Sequence, residues 1–153
     1  MLNIKTTRFG EIEVETEKII HFSQGIPGFE AEKKFVIIPY DEKSPFLFLQ
    51  SVKTEDLAFL LANPFQFFTD YNFELDDIFV EELALKSEED ILVYTILTMH
   101  GANVQEITAN LLAPIVINQQ NKMARQIVLE NSKYTTRHKI FAKQTDNVPE
   151  GGK

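Results

Sequence analysis

The chain opens with Leu2-Asn3-Ile4-Lys5-Thr6-Thr7-Arg8-Phe9-Gly10-Glu11-Ile12-Glu13-Val14-Glu15-Thr16. On both sides of Phe9-Gly10, apolar or β-branched residues alternate with polar ones. Successive side chains of a strand point to opposite faces, so this period of two predicts two strands, each with one buried and one solvated face. Gly10 marks the turn between them. The stretch therefore predicts an antiparallel hairpin.

Other short runs rich in aromatic and β-branched residues have the same strand-forming composition. They predict strands over residues 19–22, 34–40, 45–52, 58–62, 66–70, 91–99, 114–118 and 125–129. Helical signals are few: residues 76–85 start at an Asp and carry a partial apolar stripe, and residues 54–57 fit a single turn. Many short strands without long intervening helices predict a mainly β fold. We expect an antiparallel, barrel-like or sandwich-like sheet with one or two short helices.

The size and composition of the chain predict one folded domain. Of its 153 residues, 44% are hydrophobic and 25% are charged, a typical globular composition. We expect a single domain over residues 1–143 and a disordered tail over residues 144–153, which contains Pro149, Gly151 and Gly152. Cysteine is absent and no long apolar segment occurs, so we expect a cytoplasmic protein without membrane association.

The net charge of −8 bears on the kind of partner. A negative average field repels phosphate groups and anionic lipid, so direct nucleic-acid binding is disfavoured. The charge is also uneven. Residues 74–90 hold eight carboxylates and one Lys, whereas residues 122–143 hold six cations and one Glu. A basic partner protein would be steered to the acidic side.

The strongest local signal is a turn motif with Pro27 followed by Gly28. Proline presets the φ of position i+1 in a type II turn, and glycine supplies the positive φ of position i+2. A structural turn is the simpler interpretation, and partner contact is the functional one. The candidate partner-binding residues here are Gln24, Gly25, Ile26, Pro27, Gly28, Phe29 and Glu30.

Two groups of carboxylates form a candidate acidic partner surface. We predict that Glu11, Glu13, Glu15 and Glu17 share one face of a strand, and the second group is Glu74, Asp76, Asp77, Glu81 and Glu82. The alternative is an ordinary solvated surface. Neither group matches a calcium loop or a Glu-x-x-His pattern, and the three His residues have no metal-ligand spacing, so we predict no metal site.

A second distinctive block runs from residue 108 to residue 118 and supplies three more candidate partner-binding residues, Asn110, Leu111 and Pro114. Asn110 is also suited to satisfying backbone groups at a bend. Nucleophile-elbow, phosphate-loop and dinucleotide motifs are absent from the sequence. We therefore predict no catalytic residues, no cofactor and no enzymatic activity.

Several motifs in this order and spacing closely resemble the flagellar assembly factor FliW family of bacteria. They are Phe22-x-Gln24-Gly25-Ile26-Pro27-Gly28-Phe29-Glu30, Asn63-Pro64, Asp70-Tyr71, Thr108-Ala109-Asn110-Leu111-x-Ala113-Pro114-Ile115 and Gln126-x-Val128-Leu129. The resemblance runs from the first strand to about residue 134.

The resemblance implies a compact antiparallel β fold and a regulatory protein without catalysis. Members of the family bind flagellin in the cytoplasm. They also sequester CsrA, the carbon storage regulator, an RNA-binding repressor of flagellin translation, and so relieve the repression during flagellum assembly. Two alternatives remain: a flagellin secretion chaperone that never contacts CsrA, and a small ligand-binding β-barrel.

Overall fold

A computed structural model describes residues 1–141 of the chain. The predicted tail over residues 144–153, and the predicted domain end at residue 143, lie outside the described residues.

The predicted N-terminal hairpin is confirmed. Strands β1 (Leu2–Thr6) and β2 (Gly10–Val14) pair antiparallel, with Leu2 opposite Val14 and Thr6 opposite Gly10. Gly10 has a φ of +71°, as the turn requires. The inner face of the hairpin buries Ile4 and Val14 against Val36. The second strand is shorter than predicted, because residues Thr16–Lys18 form a 3-10 turn.

The remaining strands form one nine-stranded sheet. They are β3 (Ile20–His21), β4 (Lys34–Pro39), β5 (Phe46–Ser51), β6 (Ala58–Ala62), β7 (Ile91–Thr98), β8 (Thr108–Ala109), β9 (Ile115–Asn118), β10 (Ala124–Gln126) and β11 (His138–Lys139). The strand order is β10-β9-β7-β6-β5-β4-β3, with β8 paired to both β7 and β11, and every pairing is antiparallel. The mainly β antiparallel prediction is confirmed.

The sheet is sandwich-like, and its strand ladders do not close into a barrel. The strands at the two ends of this order, β10 and β3, approach each other at a single parallel bridge between His21 and Met123. There the His21 N–H donates to the Lys122 carbonyl oxygen at 2.8 Å. Strand β7 joins the two halves of the sheet. Its first half pairs with β9, and its second half pairs with β6 on one side and β8 on the other.

Two short helices accompany the sheet, α1 (Pro64–Phe67) and α2 (Asp77–Glu82). Helix α2 lies inside the predicted range 76–85, and the predicted turn over 54–57 is present. The predicted strand over residues 66–70 is wrong. Asn63 caps α1 by accepting a hydrogen bond from the Phe65 N–H at 2.9 Å, and Pro64 occupies the first helical turn. This local capping outweighs the strand preference of the Phe-rich segment.

Apolar side chains are packed on both faces of the sheet, and strand β9 shows how. Val116 packs with Leu97 on one face, whereas its neighbours Ile115 and Ile117 pack with Phe22 on the other. A strand that is buried on both faces reads as a continuous apolar run instead of an alternating one. Within residues 1–141, none of the helices is long and apolar enough to span a membrane.

Candidate functional site

The loop from Gln24 to Glu30 contains the predicted type II turn. The Phe29 N–H donates to the Ile26 carbonyl oxygen at 2.6 Å, and Gly28 has a φ of +89°. The Gly28 N–H donates to the Glu30 carboxylate at 3.1 Å, and this hydrogen bond holds the pKa of Glu30 below its usual value. The loop is therefore fixed by its own hydrogen bonds.

The exposure of this loop divides its seven candidate residues into two sets. Gly25 and Ile26 are buried and support the loop from below. Phe29 is 41% exposed, with its ring edge on Phe59 at a centroid distance of 5.4 Å. The residues accessible to a partner are Gln24, Pro27, Gly28, Phe29 and Glu30.

Arg125 on β10, which belongs to none of the sequence motifs, connects this loop to helix α2. Its guanidinium pairs with the Glu82 carboxylate and lies 5.0 Å from the centre of the Phe79 ring. Arg125 also lines a shallow depression of about 150 Å³ together with Gln24 and Glu30. The loop over residues 24–30 and helix α2, which are far apart in sequence, are therefore adjacent on the surface.

The acidic residues around α2 are not equivalent. Glu82 is partly buried and its charge is neutralised by Arg125, so it adds little to the negative surface, and its part in the acidic partner surface stays a prediction. Its second oxygen, Oε2, is buried and accepts no hydrogen bond from a described residue. The other four, Glu74, Asp76, Asp77 and Glu81, are exposed, and none forms an ion pair within residues 1–141.

The predicted row of four carboxylates on one strand face is wrong. Only Glu11 and Glu13 lie on β2, where Lys5 and Asn3 stand opposite them. Glu15 follows the strand and pairs with Lys18 at 3.5 Å, and Glu17 lies in the 3-10 turn. All four are exposed, but the Lys residues reduce the local negative charge.

The block around Asn110 has a structural role. The Asn110 side chain accepts a hydrogen bond from the Ala113 N–H at 3.0 Å, as expected for a residue that satisfies the backbone at a bend. Leu111 and Pro114 are both buried. Neither side chain is presented to solvent in this structure, and a partner contact at these two residues stays a prediction.

Among residues 1–141, no three His, Cys, Asp or Glu side chains are grouped so that they could hold an ion. Of the acidic residues of α2, Asp77 and Glu81 are exposed and Glu82 is paired with Arg125. What the site offers is a rigid loop beside a surface with unpaired carboxylates.

This architecture is found among solved structures. It matches a solved chain described as the crystal structure of the flagellar assembly factor FliW, with a TM-score of 0.86 and 42% sequence identity, covering 92% of this chain and 97% of that one. The flagellar assembly factor FliW of Desulfitobacterium hafniense (strain Y51) is 47% identical over 153 residues, covering 99% of this chain and 100% of the relative. That of Bacillus subtilis (strain 168) is 50% identical over 137 residues, covering 90% and 95%.

The fold and the sequence similarity thus define the class of flagellar assembly factors. The FliW protein family model matches residues 3–140. The chain belongs to the FliW family.

Proposed function

We propose that this chain is a cytoplasmic regulator that binds flagellin and, when free of flagellin, sequesters the RNA-binding repressor CsrA and thereby relieves repression of flagellin translation. The proposal rests first on family membership over nearly the whole chain. In this account the protein performs no catalysis. Its output is the exchange of one macromolecular partner for the other.

The structural observation that supports the proposal is a set of four exposed carboxylates at α2 that form no ion pair with a described residue. Glu74, Asp76, Asp77 and Glu81 are exposed, and no described cation pairs with them. An RNA-binding protein needs a positive surface, so these carboxylates attract it and repel the phosphates of its RNA. The net charge of −8 adds to the same field at longer range.

Isothermal titration of the full chain with CsrA, with and without flagellin present, tests the exchange. We expect binding of each partner alone and a loss of CsrA binding when flagellin is in excess. Absence of an association with either protein at micromolar concentration would overturn the proposal. Binding of flagellin alone would instead establish the secretion chaperone.

Charge-reversal variants test whether α2 steers CsrA. The double variant Asp77→Lys with Glu81→Lys is compared with Glu42→Lys and Glu55→Lys, an exposed pair elsewhere that changes the net charge equally. We expect the α2 variant to slow association about tenfold at low salt and to weaken its salt dependence, since steering contributes about 10 to 10³ to such rates. Equal on-rates in the two variants would exclude α2 as the steering surface.

The ligand-binding barrel is the less supported alternative. Such a protein needs an interior cavity with converging polar groups. Here the hydrophobic core that packs against the sheet consists of apolar side chains, among them Phe22, Leu49 and Ile115, which are fully buried.

A further inference from the structure

A depression of about 380 Å³ lies beside the short β8–β11 pair, and its lining is made of polar and charged side chains. They are His100, Glu106, Thr108, Arg137 and Lys139. Two of the five are permanent cations and a third is a His, although the chain as a whole carries a net charge of −8. The sign of the local charge is therefore opposite to that of the whole chain.

Strand pairing brings these side chains together. Thr108 on β8 stands opposite Lys139 on β11, and directly opposed residues of an antiparallel pair project from the same face. Arg137 lies two residues before Lys139, a spacing that returns to the same face of an extended segment. His100 follows β7, the neighbour of β8 on its other side. The cluster is thus assembled from three adjacent strands.

The His100 ring lies between the Thr108 hydroxyl and the Arg137 guanidinium. Its Nε2 is 2.9 Å from Thr108 Oγ1, and its Nδ1 is 3.4 Å from Arg137 Nη2. A guanidinium has donors and no acceptor, so Nδ1 accepts from Arg137 and the ring proton on Nε2 is donated to Thr108. The ring therefore orients the guanidinium without neutralising its charge.

Arg137 keeps most of its donors available. Its side chain is exposed, the contact with His100 uses one of its five N–H groups, and no carboxylate within residues 1–141 pairs with it. The Thr108 hydroxyl, which accepts from His100, still has its own proton to donate. Both groups can therefore donate to a ligand in the depression.

Lys139 is held by a weak partner. Its Nζ pairs with Glu106 at 3.1 Å, and the two side chains are 48% and 45% exposed. An exposed ion pair of this kind contributes little free energy, so another anion can take the place of Glu106 at low cost. Among the described residues of the lining, Glu106 is the only carboxylate.

The number of donor side chains favours a phosphate group over a carboxylate. A carboxylate offers two oxygens in one plane, whereas a phosphate group presents three strong acceptor oxygens around a tetrahedral centre. A guanidinium binds two of them in parallel, and an ammonium and a hydroxyl suit the third. Exposed carboxylates farther than about 8 Å away repel such an anion little at physiological ionic strength, because salt screens them.

We propose that this depression, the β8–β11 anion site, binds a phosphate group, either free phosphate or a phosphomonoester of a small molecule. Arg137 holds two of its oxygens, Lys139 leaves Glu106 to hold the third, and Thr108 donates its hydroxyl proton. The site shares no residue with the loop over residues 24–30 or with α2. The inference therefore goes beyond the proposed function and does not depend on it.

A titration of the full chain with inorganic phosphate tests the site. The chain is labelled with ¹⁵N, the ionic strength is held constant with chloride, and the NMR signals of Thr108, Arg137 and Lys139 are followed. We expect saturable shifts with a dissociation constant on the order of 1 mM, the affinity that a few exposed charge-assisted hydrogen bonds provide. Acetate, the control for a carboxylate ligand, should bind at least about fivefold more weakly. Methyl phosphate is the second probe, and the tighter of the two phosphates distinguishes a free from a carried phosphate group.

Two pairs of variants with opposite expected effects locate the binding. Arg137→Gln should weaken phosphate binding about tenfold, whereas Lys43→Gln, which removes the same charge at an exposed position outside the site, should change it less than about twofold. Glu106→Gln should strengthen binding about threefold, because Lys139 no longer has to leave an ion pair. Glu42→Gln, which changes the net charge equally, should alter it less than about twofold.

Three results would overturn the inference. They are the absence of saturable shifts at ten times the expected dissociation constant, equal affinities for acetate and phosphate, and equal effects of Arg137→Gln and Lys43→Gln, which would assign the binding to net charge alone. Circular dichroism establishes that each variant is folded, and Lys139→Gln, with an expected loss of about threefold, is a second variant that tests the same site. Failure of flagellin and CsrA to bind would leave these phosphate results unchanged, so the two proposals are tested separately.

Discussion

Gly25 lies so close to the backbone of Glu30 that a Cβ atom on Gly25 would be 2.5 Å from the Glu30 carbonyl oxygen. Gly25 also has a φ of +68° and donates its N–H to the Phe22 carbonyl oxygen at 2.8 Å. Only glycine satisfies both requirements, the left-handed backbone and the close approach. The exposed turn over Pro27 and Gly28 is therefore anchored by a buried contact between backbones.

Alanine substitution at two glycines separates these requirements. Gly28 has a φ of +89°, but nothing lies within 4 Å of the position its Cβ would take. We expect Gly28→Ala to lower the free energy of unfolding by about 1 kcal/mol, the cost of the left-handed conformation. Gly25→Ala adds a collision with backbone and should cost about 2 kcal/mol more. Urea denaturation of both variants measures the difference, and equal losses would contradict the close approach.

The buried Tyr71 hydroxyl should contribute to stability through one hydrogen bond. It donates to the Leu111 carbonyl oxygen at 2.8 Å, and burial raises the pKa of Tyr71 above its ordinary value. We expect Tyr71→Phe to cost about 1–2 kcal/mol, because the Leu111 carbonyl oxygen then lacks this partner. Tyr94→Phe is the control, since the Tyr94 hydroxyl makes no hydrogen bond to a described residue. Thermal unfolding that does not distinguish the two variants would refute this role.

Asn118 connects the end of β9 to the end of α2. Its side-chain amide donates to the Leu83 carbonyl oxygen at 2.8 Å and to that of Ala84 at 3.2 Å, and its oxygen accepts from the Gln120 N–H at 2.9 Å. We expect Asn118→Ala to lower the free energy of unfolding by about 2–3 kcal/mol, since buried backbone groups lose their partner. Asn3→Ala, at an exposed strand position, should change it by less than about 0.5 kcal/mol.

Glu32 predicts a pH dependence of stability. Its carboxylate accepts hydrogen bonds from the hydroxyls of Ser51 and Thr54, both at 2.6 Å, and these hold the pKa of Glu32 below its usual value in the folded state. A carboxyl group with a lowered folded pKa stabilises the protein above its unfolded pKa, and this contribution is lost as the pH falls through the folded pKa.

We therefore expect Glu32→Gln to cost about 1 kcal/mol at pH 7 and progressively less below about pH 4.5. Urea denaturation across this pH range measures the effect. Glu42→Gln, an exposed control, should show no such trend. A cost for Glu32→Gln that stays constant down to pH 3 would show that the charge is not responsible.

Much of the local structure was predictable because its causes are local. The type II turn follows from the preferences of Pro27 and Gly28 alone. The one strand predicted wrongly, over residues 66–70, carried its own contrary signal in Asn63-Pro64, which caps α1. By contrast, β8 and β11 have two residues each and no pattern of their own, so they exist only because they pair with each other and with β7.

The sequence by itself determined the period-two strands, the turn at Gly28, the acidic character of the chain and its family resemblance, because each depends on neighbouring residues or on composition. The tertiary structure alone decided which carboxylates remain unpaired. Arg125 neutralises Glu82 across a separation of 43 residues, and residues 72–79 lie beside residues 127–134 around a surface groove of about 470 Å³. Such contacts depend on the strand order of the whole sheet, which no local pattern encodes.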